Sequence, residues 1–64
     1  MIITRTSPLS GLIHSIQINV SPEQISLWQS GELIQNAMPN LTADEREFIM
    51  TGITAEEWES NFGD

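Results

Sequence analysis

The side chains of this sequence that could do chemistry are few: one histidine, two arginines, two tryptophans and nine carboxylates. His14 could act as a general acid or base, but that role requires a nucleophile or an acid placed beside it by the fold. The sequence contains no cysteine, no His-x-x-x-His pair and no glycine-rich phosphate loop. A single histidine without thiolates does not make a zinc site. We therefore predict a protein that is not an enzyme and needs neither a metal nor a cofactor.

Six side chains could instead bind a ligand. An arginine can bind a phosphate or carboxylate through two hydrogen bonds, and a tryptophan can stack on a base or another flat group. A side-chain amide can form hydrogen bonds with the polar edge of such a group. The candidate ligand-binding residues are Arg5, Trp28, Gln35, Asn36, Arg46 and Trp58. With two arginines per chain, an anion site would need a homodimer that brings four guanidiniums together.

Each candidate also has a plainer interpretation. The two tryptophans could be core residues, or one of them could lie at a dimer seam. Arg46 could pair with Glu45 or with an acid on an adjacent helix, and exposed pairs of this kind contribute little to stability. His14 falls on the apolar face of a predicted strand, which favours a structural or interface role. The paired carboxylates Glu56 and Glu57 are better explained by helix-start chemistry than by acid–base work.

The charge of the chain restricts its partners. The net charge is −7, residues 1–22 hold one arginine and no acid, and residues 23–64 hold all nine acids. A nucleic-acid backbone and an anionic membrane surface both attract Lys and Arg, so we expect neither as a partner, whereas a basic protein surface is plausible. No apolar run approaches the roughly 20 residues of a membrane span, and the first residues lack the order of a signal peptide. We expect a cytoplasmic protein.

A β-hairpin is predicted over residues 1–20. Apolar and polar residues alternate from residue 12 to residue 20, which is typical of a half-buried strand, and residues 1–6 supply a β-branched partner strand. Residues 7–11, Ser-Pro-Leu-Ser-Gly, suit the turn. The residues on the inner face are Leu12, His14, Ile16, Ile18 and Val20. An isolated hairpin is barely stable in water, so helices, a second copy's sheet or both must cover it.

Helices are predicted over 22–29, 32–38, 43–51 and 55–62. Three of them start with a hydroxyl cap followed three residues later by Gln or Glu, at Ser21, Thr42 and Thr54. Gly31, Gly52 and Gly63 are placed to end the first, third and last helices, and Pro39 ends the second near Met38.

Apolar stripes on these helices would cover the hairpin. The stripe residues are Ile25 with Trp28; Leu33, Ile34, Ala37 and Met38; Phe48 and Ile49, flanked by Leu41 and Ile53; and Trp58 with Phe62. The predicted fold is α+β, a single domain over 1–64 with a hairpin (1–20) packed by three to four short helices (21–62). Because so short a chain has a marginal core, we also predict a homodimer or a higher homo-oligomer.

Residues from Gln24 to Phe62 carry a further pattern. It comprises Gln-x-x-x-Trp at 24–28, Leu-Ile-Gln at 33–35, Glu-Arg-Glu-Phe at 45–48, Thr-Gly at 51–52 and Glu-Glu-Trp at 56–58. This pattern resembles a group of small acidic uncharacterised proteins encoded by bacteriophages. The resemblance implies a phage origin, and with it action in the cytoplasm of a host cell, but no mechanism.

Three functions follow as hypotheses. The first is a phage-encoded binding protein that antagonises a host process, such as a defence system, by sequestering a small nucleotide signal between subunits. There Arg5 and Arg46 would hold phosphate, Trp28 or Trp58 would stack, and Gln35 or Asn36 would read polar edges. The second is an acidic inhibitor that docks on a basic host protein, DNA mimicry included. The third is a minor virion or assembly component.

Overall fold

A computed structural model describes residues 1–62. Two strands precede four helices: β1 (Ile2–Thr6), β2 (Ile13–Gln17), α1 (Pro22–Gln29), α2 (Ile34–Ala37), α3 (Ala43–Thr51) and α4 (Ala55–Phe62). This is the predicted α+β arrangement, and α1, α3 and α4 have the predicted bounds. Gly63, predicted to end α4, lies outside the described residues. Among the described helices, none has the length and apolar character needed to cross a membrane.

The two strands form an antiparallel hairpin in which Thr4 lies opposite Ser15. Hydrogen bonds join Met1 to Ile18 at one end of the ladder and Ser7 to Leu12 at the other. Hydrogen-bonded pairs therefore fall at the odd positions of β1, since such pairs alternate in an antiparallel ladder. The even positions of β1 and their partners in β2 direct their backbone groups away from each other.

The turn between the strands follows the predicted chemistry. The Ser7 side chain is buried, and its Oγ accepts a hydrogen bond from Leu9 N at 3.2 Å. Gly11 N donates to Ser7 O at 2.9 Å, and Gly11 has φ of +74°. A positive φ of this size suits glycine, because it lacks a Cβ.

The inner face of the hairpin is as predicted except at its start. Ile18 and Val20 are buried, and His14 and Ile16 are half-buried. Leu12, predicted on this face, is 60% exposed, because it lies in the turn before β2 begins. The regular strand also ends at Gln17, and a bend at Asn19, closed by a 2.8 Å hydrogen bond from Val20 N to Ile18 O, brings Ile18 and Val20 into the core.

Capping boxes begin α1 and α3. Ser21 Oγ accepts a hydrogen bond from Gln24 N, and Gln24 Oε1 accepts one from Ser21 N. Thr42 and Glu45 make the same reciprocal pair at the start of α3. Such caps contribute about 1 kcal/mol each, which matters in so small a domain.

Helix α2 is shorter than predicted. Leu33, expected within the helix and its apolar stripe, is the N-cap residue and is 60% exposed. Glu32 Oε1 accepts hydrogen bonds from Leu33 N and Asn36 Nδ2 at 3.2 Å each, but within the described residues no side chain caps the first amides of α2. At the other end Met38 leaves helical geometry with φ of −131°, because the residue before a proline disfavours the helical region.

A single hydrophobic cluster joins the hairpin to the helices. Its buried members come from the end of the hairpin, α2, the segment after α2, and α3, with Phe48 and Met38 among the least exposed. The buried residues are Ile18, Val20, Ile34, Ala37, Met38, Leu41, Phe48 and Ile49. Ile25 and Trp28 of α1 pack against this cluster while staying half-buried.

The end of α3 lies directly against β1. Gly52 follows the helix with φ of +83°, and a Cβ at this position would lie 2.7 Å from Thr6 O. Glycine is needed here for both its conformation and its size. Next to this contact, the Arg5 guanidinium donates a hydrogen bond to Ile49 O in the last turn of α3.

Candidate functional site

Glu57 of α4 joins three parts of the molecule. Its Oε1 accepts a hydrogen bond from Thr54 N at 3.1 Å, and its own N donates to Thr54 Oγ1 at 3.2 Å, which is the predicted capping box. Its Oε2 accepts a hydrogen bond from Ser10 Oγ at 2.5 Å and lies 3.2 Å from His14 Nε2. One carboxylate thus ties the start of α4 to the hairpin turn and to β2.

These contacts favour the charged form of Glu57. The pKa of Glu57 is lowered from 4.5 to about 2, with the hydrogen bond from Ser10 as the largest cause and burial as the opposing effect. The backbone amide of Thr54 and the side chains of His14 and Ser7 act in the same direction as Ser10. The carboxylate is therefore ionised at neutral pH.

Ser10, His14 and Glu57 have the residue types of a hydrolytic triad but not its connectivity. In a triad the histidine lies between the serine and the acid, so that it can take the serine proton. Here the Ser10 hydroxyl donates to Glu57, and His14 Nε2 faces the same carboxylate without hydrogen-bond geometry. A serine bonded to a carboxylate is not activated by the imidazole. This cluster joins the hairpin turn to α4, and it does not form a nucleophilic centre.

A groove lies between β2 and the first turns of α3 and α4. One part, of about 340 Å³, is lined by His14, Ile16, Thr54, Ala55 and Glu56. An adjoining part of about 130 Å³ shares Ile16, Thr54 and Ala55 and adds Ile18, Phe48, Asp44 and Glu45. We call the two parts together the β2 groove. Its floor is apolar, because Ile16, Ile18 and Phe48 supply it.

The rim of the β2 groove is acidic. Asp44 and Glu45 stand at the start of α3, and Glu56 at the start of α4. Within residues 1–62 the one close contact between a basic and an acidic side chain is that of His14 with Glu57, so these three acids have no cationic partner there. Of the three, only Glu45 accepts a hydrogen bond within the described part of the chain, from Thr42 N. Three uncompensated charges therefore surround an apolar cavity.

A second concavity of about 600 Å³ lies along α1. Its lining consists of Pro22, Glu23, Ser26, Leu27 and Ser30, which are positions on one exposed face of a single helix. A ligand there would touch one wall only, whereas binding sites normally enclose most of a ligand's surface. We therefore regard the β2 groove as the better candidate site.

The two arginines predicted as anion ligands have different surroundings. Arg5 is half-buried, and its guanidinium donates a hydrogen bond to the Ile49 carbonyl. Arg46 is also half-buried, but it forms no ion pair with Glu45 or with any other acid in residues 1–62. Neither arginine lines the β2 groove.

The predicted stacking and polar residues also lie on separate elements. Trp28 packs against the core from α1, and Trp58 packs on Phe62 within α4, with ring centroids 4.7 Å apart. Trp58 Nε1 is buried without a hydrogen-bond partner in the described part of the chain. Gln35 and Asn36 are exposed on α2. One copy of the chain does not gather these residues into the β2 groove, and assembly by a second copy stays a prediction.

Two features of the site could not be recognised from the sequence. Ser10 carried no signal beyond its place in a turn, and the contact of Glu57 with the hairpin was hidden by its role as a capping residue. Only the apolar alternation of β2, with His14 and Ile16 on the inner face, pointed to one wall of the groove.

No protein-family model, no curated protein and no solved structure matches this sequence. The resemblance to phage proteins therefore stays a prediction, and the site is judged on its own geometry. Within residues 1–62 no three His, Cys, Asp or Glu side chains are grouped as metal ligands would be.

Proposed function

We propose that this protein is a non-enzymatic acidic binding protein that docks on a basic surface of another protein. The observation that carries the proposal is the β2 groove, whose apolar floor is bordered by Asp44, Glu45 and Glu56, three acids that have no cationic partner among residues 1–62. An apolar side chain of the partner would fill the floor, and Lys or Arg side chains would meet the rim.

The charge of the whole chain supports the same kind of partner. A net charge of −7 accelerates encounter with a basic surface and slows encounter with an acidic one. Such attraction is screened beyond about 8 Å at physiological salt. Specificity therefore has to come from contacts in the groove itself. The resemblance to phage proteins makes a host protein the expected partner, bound without turnover, in the host cytoplasm.

Capture from a host-cell lysate with two matched variants tests the proposal. The groove-acid variant carries Asp44→Asn, Glu45→Gln and Glu56→Gln, and the remote-acid variant carries Glu23→Gln, Glu32→Gln and Glu59→Gln. Both lose three negative charges, and Gln at position 45 keeps a capping-box side chain. We expect basic proteins to be retained by the wild type and the remote-acid variant, released by added salt, and lost with the groove-acid variant. Equal retention by both variants would count against the groove.

Sequestration of a nucleotide is the competing hypothesis. Pockets for small ligands usually measure about 300–1,000 Å³, and the larger part of the groove is about 340 Å³, so size does not exclude a nucleotide, but the apolar floor formed by Ile16, Ile18 and Phe48 offers phosphate no partner. Acids at the rim would also repel phosphate. A nucleotide site would thus require a second copy that brings Arg46 and the tryptophans together. Titration calorimetry with a nucleotide panel separates the hypotheses, because specific binding of any member would favour sequestration.

A further inference from the structure

Strand β2 has an unpaired outer edge. The odd positions of β1 and their partners in β2 are hydrogen-bonded to each other, so Ile13, Ser15 and Gln17 direct their backbone N–H and C=O groups away from β1. Within residues 1–62, none of these groups takes part in a backbone or side-chain hydrogen bond. All three residues are exposed. A free edge of this kind is a template for another strand.

The outer edge of β1 is less accessible. Thr6 O, which points away from β2, lies so close to Gly52 that a Cβ there would be 2.7 Å from it. The end of α3 therefore covers part of that edge. Residues 13–17 of β2 include no proline, lysine or carboxylate, which are the residue types that commonly protect an exposed edge.

The β2 groove takes its strand wall from β2 alone. His14 and Ile16 line it, and no residue of β1 does. A strand added to β2 would place alternate side chains on this inner face, because the side chains of neighbouring paired strands share a face. An apolar side chain at one inner position would reach the floor beside Ile16. Residues two positions away, roughly 7 Å along the strand, would reach towards the acidic rim.

We infer that the partner binds as an extended basic segment that adds to the edge of β2. One apolar side chain of the segment, flanked by two of its own cationic side chains, enters the β2 groove. This inference rests on the proposed function and specifies the form of the ligand. Backbone hydrogen bonds to Ser15 and its neighbours supply affinity, and the groove supplies selectivity, as in other cases of strand addition.

Charge favours a basic segment over a second copy at this edge. Pairing β2 with β2 of another copy would bring two α4 starts together, each with Glu56 and Glu57 beside the strand. Like charges brought together in this way repel each other. A segment with Lys or Arg on its inner face is attracted by the same groups.

A synthetic peptide, Thr-Lys-Thr-Leu-Thr-Lys-Thr with blocked ends, is the probe. In an added strand its Lys and Leu side chains face the groove, and three of its four threonines lie opposite Ile13, Ser15 and Gln17. The amides of the threonines then bond to β2, and the amides of Leu and Lys point away. N-methylation of the two threonines beside Leu should weaken binding to the full chain at least about tenfold, and N-methylation of Leu less than about threefold.

Nuclear magnetic resonance gives an independent readout. We expect the peptide to slow hydrogen exchange at the amides of Ile13, Ser15 and Gln17 and to leave those of exposed residues in α1 unchanged. The groove-acid variant should bind the peptide at least about tenfold more weakly than the remote-acid variant, because only the former removes rim charges.

Three outcomes would overturn the inference. Salt-sensitive binding that requires the groove acids but responds equally to N-methylation at both kinds of position would leave the proposed function standing and exclude strand addition. No binding of the peptide at millimolar concentration would also exclude it, and lysate capture would still judge the proposed function. Protection of the β2 amides by self-association before any peptide is added would assign the edge to a second copy.

Discussion

Ser10 Oγ in the hairpin turn donates a hydrogen bond to Glu57 Oε2 in the first turn of α4, across 47 residues of sequence. The same carboxylate caps Thr54 N and faces His14. The hairpin and the last helix, which together border the β2 groove, are therefore connected through one ionised side chain.

This connection predicts a specific dependence of stability on pH. The pKa of Glu57 falls from 4.5 to about 2 on folding, so between these values the unfolded chain binds more protons than the folded one. Stability from Glu57 is therefore complete above about pH 4.5 and is lost as the pH falls through about 2. Urea unfolding at a series of pH values should show this decline in the wild type. In Ser10→Ala the decline in stability should be smaller. In Glu57→Gln the part of the decline that comes from protonation of Glu57 should be absent.

Glu59→Gln is the matched control for that series, because Glu59 is exposed on the same helix and accepts no hydrogen bond in residues 1–62. It should leave the contribution of Glu57 to the pH dependence in place, because it removes none of the hydrogen bonds of the Glu57 carboxylate. An identical slope for Ser10→Ala and the wild type would show that the hairpin turn does not hold Glu57 in its ionised form.

Arg5 is predicted to stabilise the fold rather than to bind a ligand. Its guanidinium donates to Ile49 O at the negative end of the α3 dipole. Arg5→Ala should lower the free energy of unfolding by about 1–2 kcal/mol, because the Ile49 carbonyl loses its charged donor in a partly buried site. Arg46→Ala, which removes no ion pair in the described residues, should change it by less than about 0.5 kcal/mol. Urea denaturation measures the free energy of unfolding of both variants. Equal losses in the two variants would show that the contact of Arg5 with Ile49 does not stabilise the fold.

Gly52 is predicted to be far less replaceable than Gly11. Both have a similar positive φ, +83° and +74°, but a Cβ meets Thr6 O only at Gly52. Gly11→Ala should therefore cost about 1 kcal/mol for its conformation alone. Gly52→Ala should cost at least about 1 kcal/mol more, since backbone has to move apart. Thermal and urea unfolding of the two variants compare them directly. Similar losses would mean that β1 and the end of α3 separate easily.

Self-association remains a prediction of the chain's size and surface. Ile2 and Ile13 lie on the outer face of the hairpin and are 58% and 71% exposed, and that face carries no charge, so two copies of an acidic chain can meet there. Light scattering at micromolar concentration should give a dimer or a larger species. Ile2→Lys with Ile13→Lys should give a monomer, through the loss of apolar contact and the addition of like charges. A monomeric wild type would contradict the prediction.

Local signals made most of the fold predictable. The reciprocal caps at Ser21 and Thr42 and the glycine at position 52 predicted the starts of α1 and α3 and the end of α3, because each acts within four residues of chain. The same reasoning failed at Leu12 and Leu33, where apolar residues fell in a turn and at a helix cap. Periodicity cannot locate such boundaries, since a residue just outside an element still fits its pattern.

The sequence by itself determined the class of fold, the caps and the uneven distribution of charge, all of which depend on neighbouring residues or on composition. Tertiary structure alone decided that Arg5 donates a hydrogen bond to the end of α3 and that Ser10 donates one to Glu57. It also decided that the acids at two helix starts border one apolar groove. These pairings join residues 44 and 47 positions apart. They depend on how the hairpin and helices pack around Phe48, which no local pattern encodes.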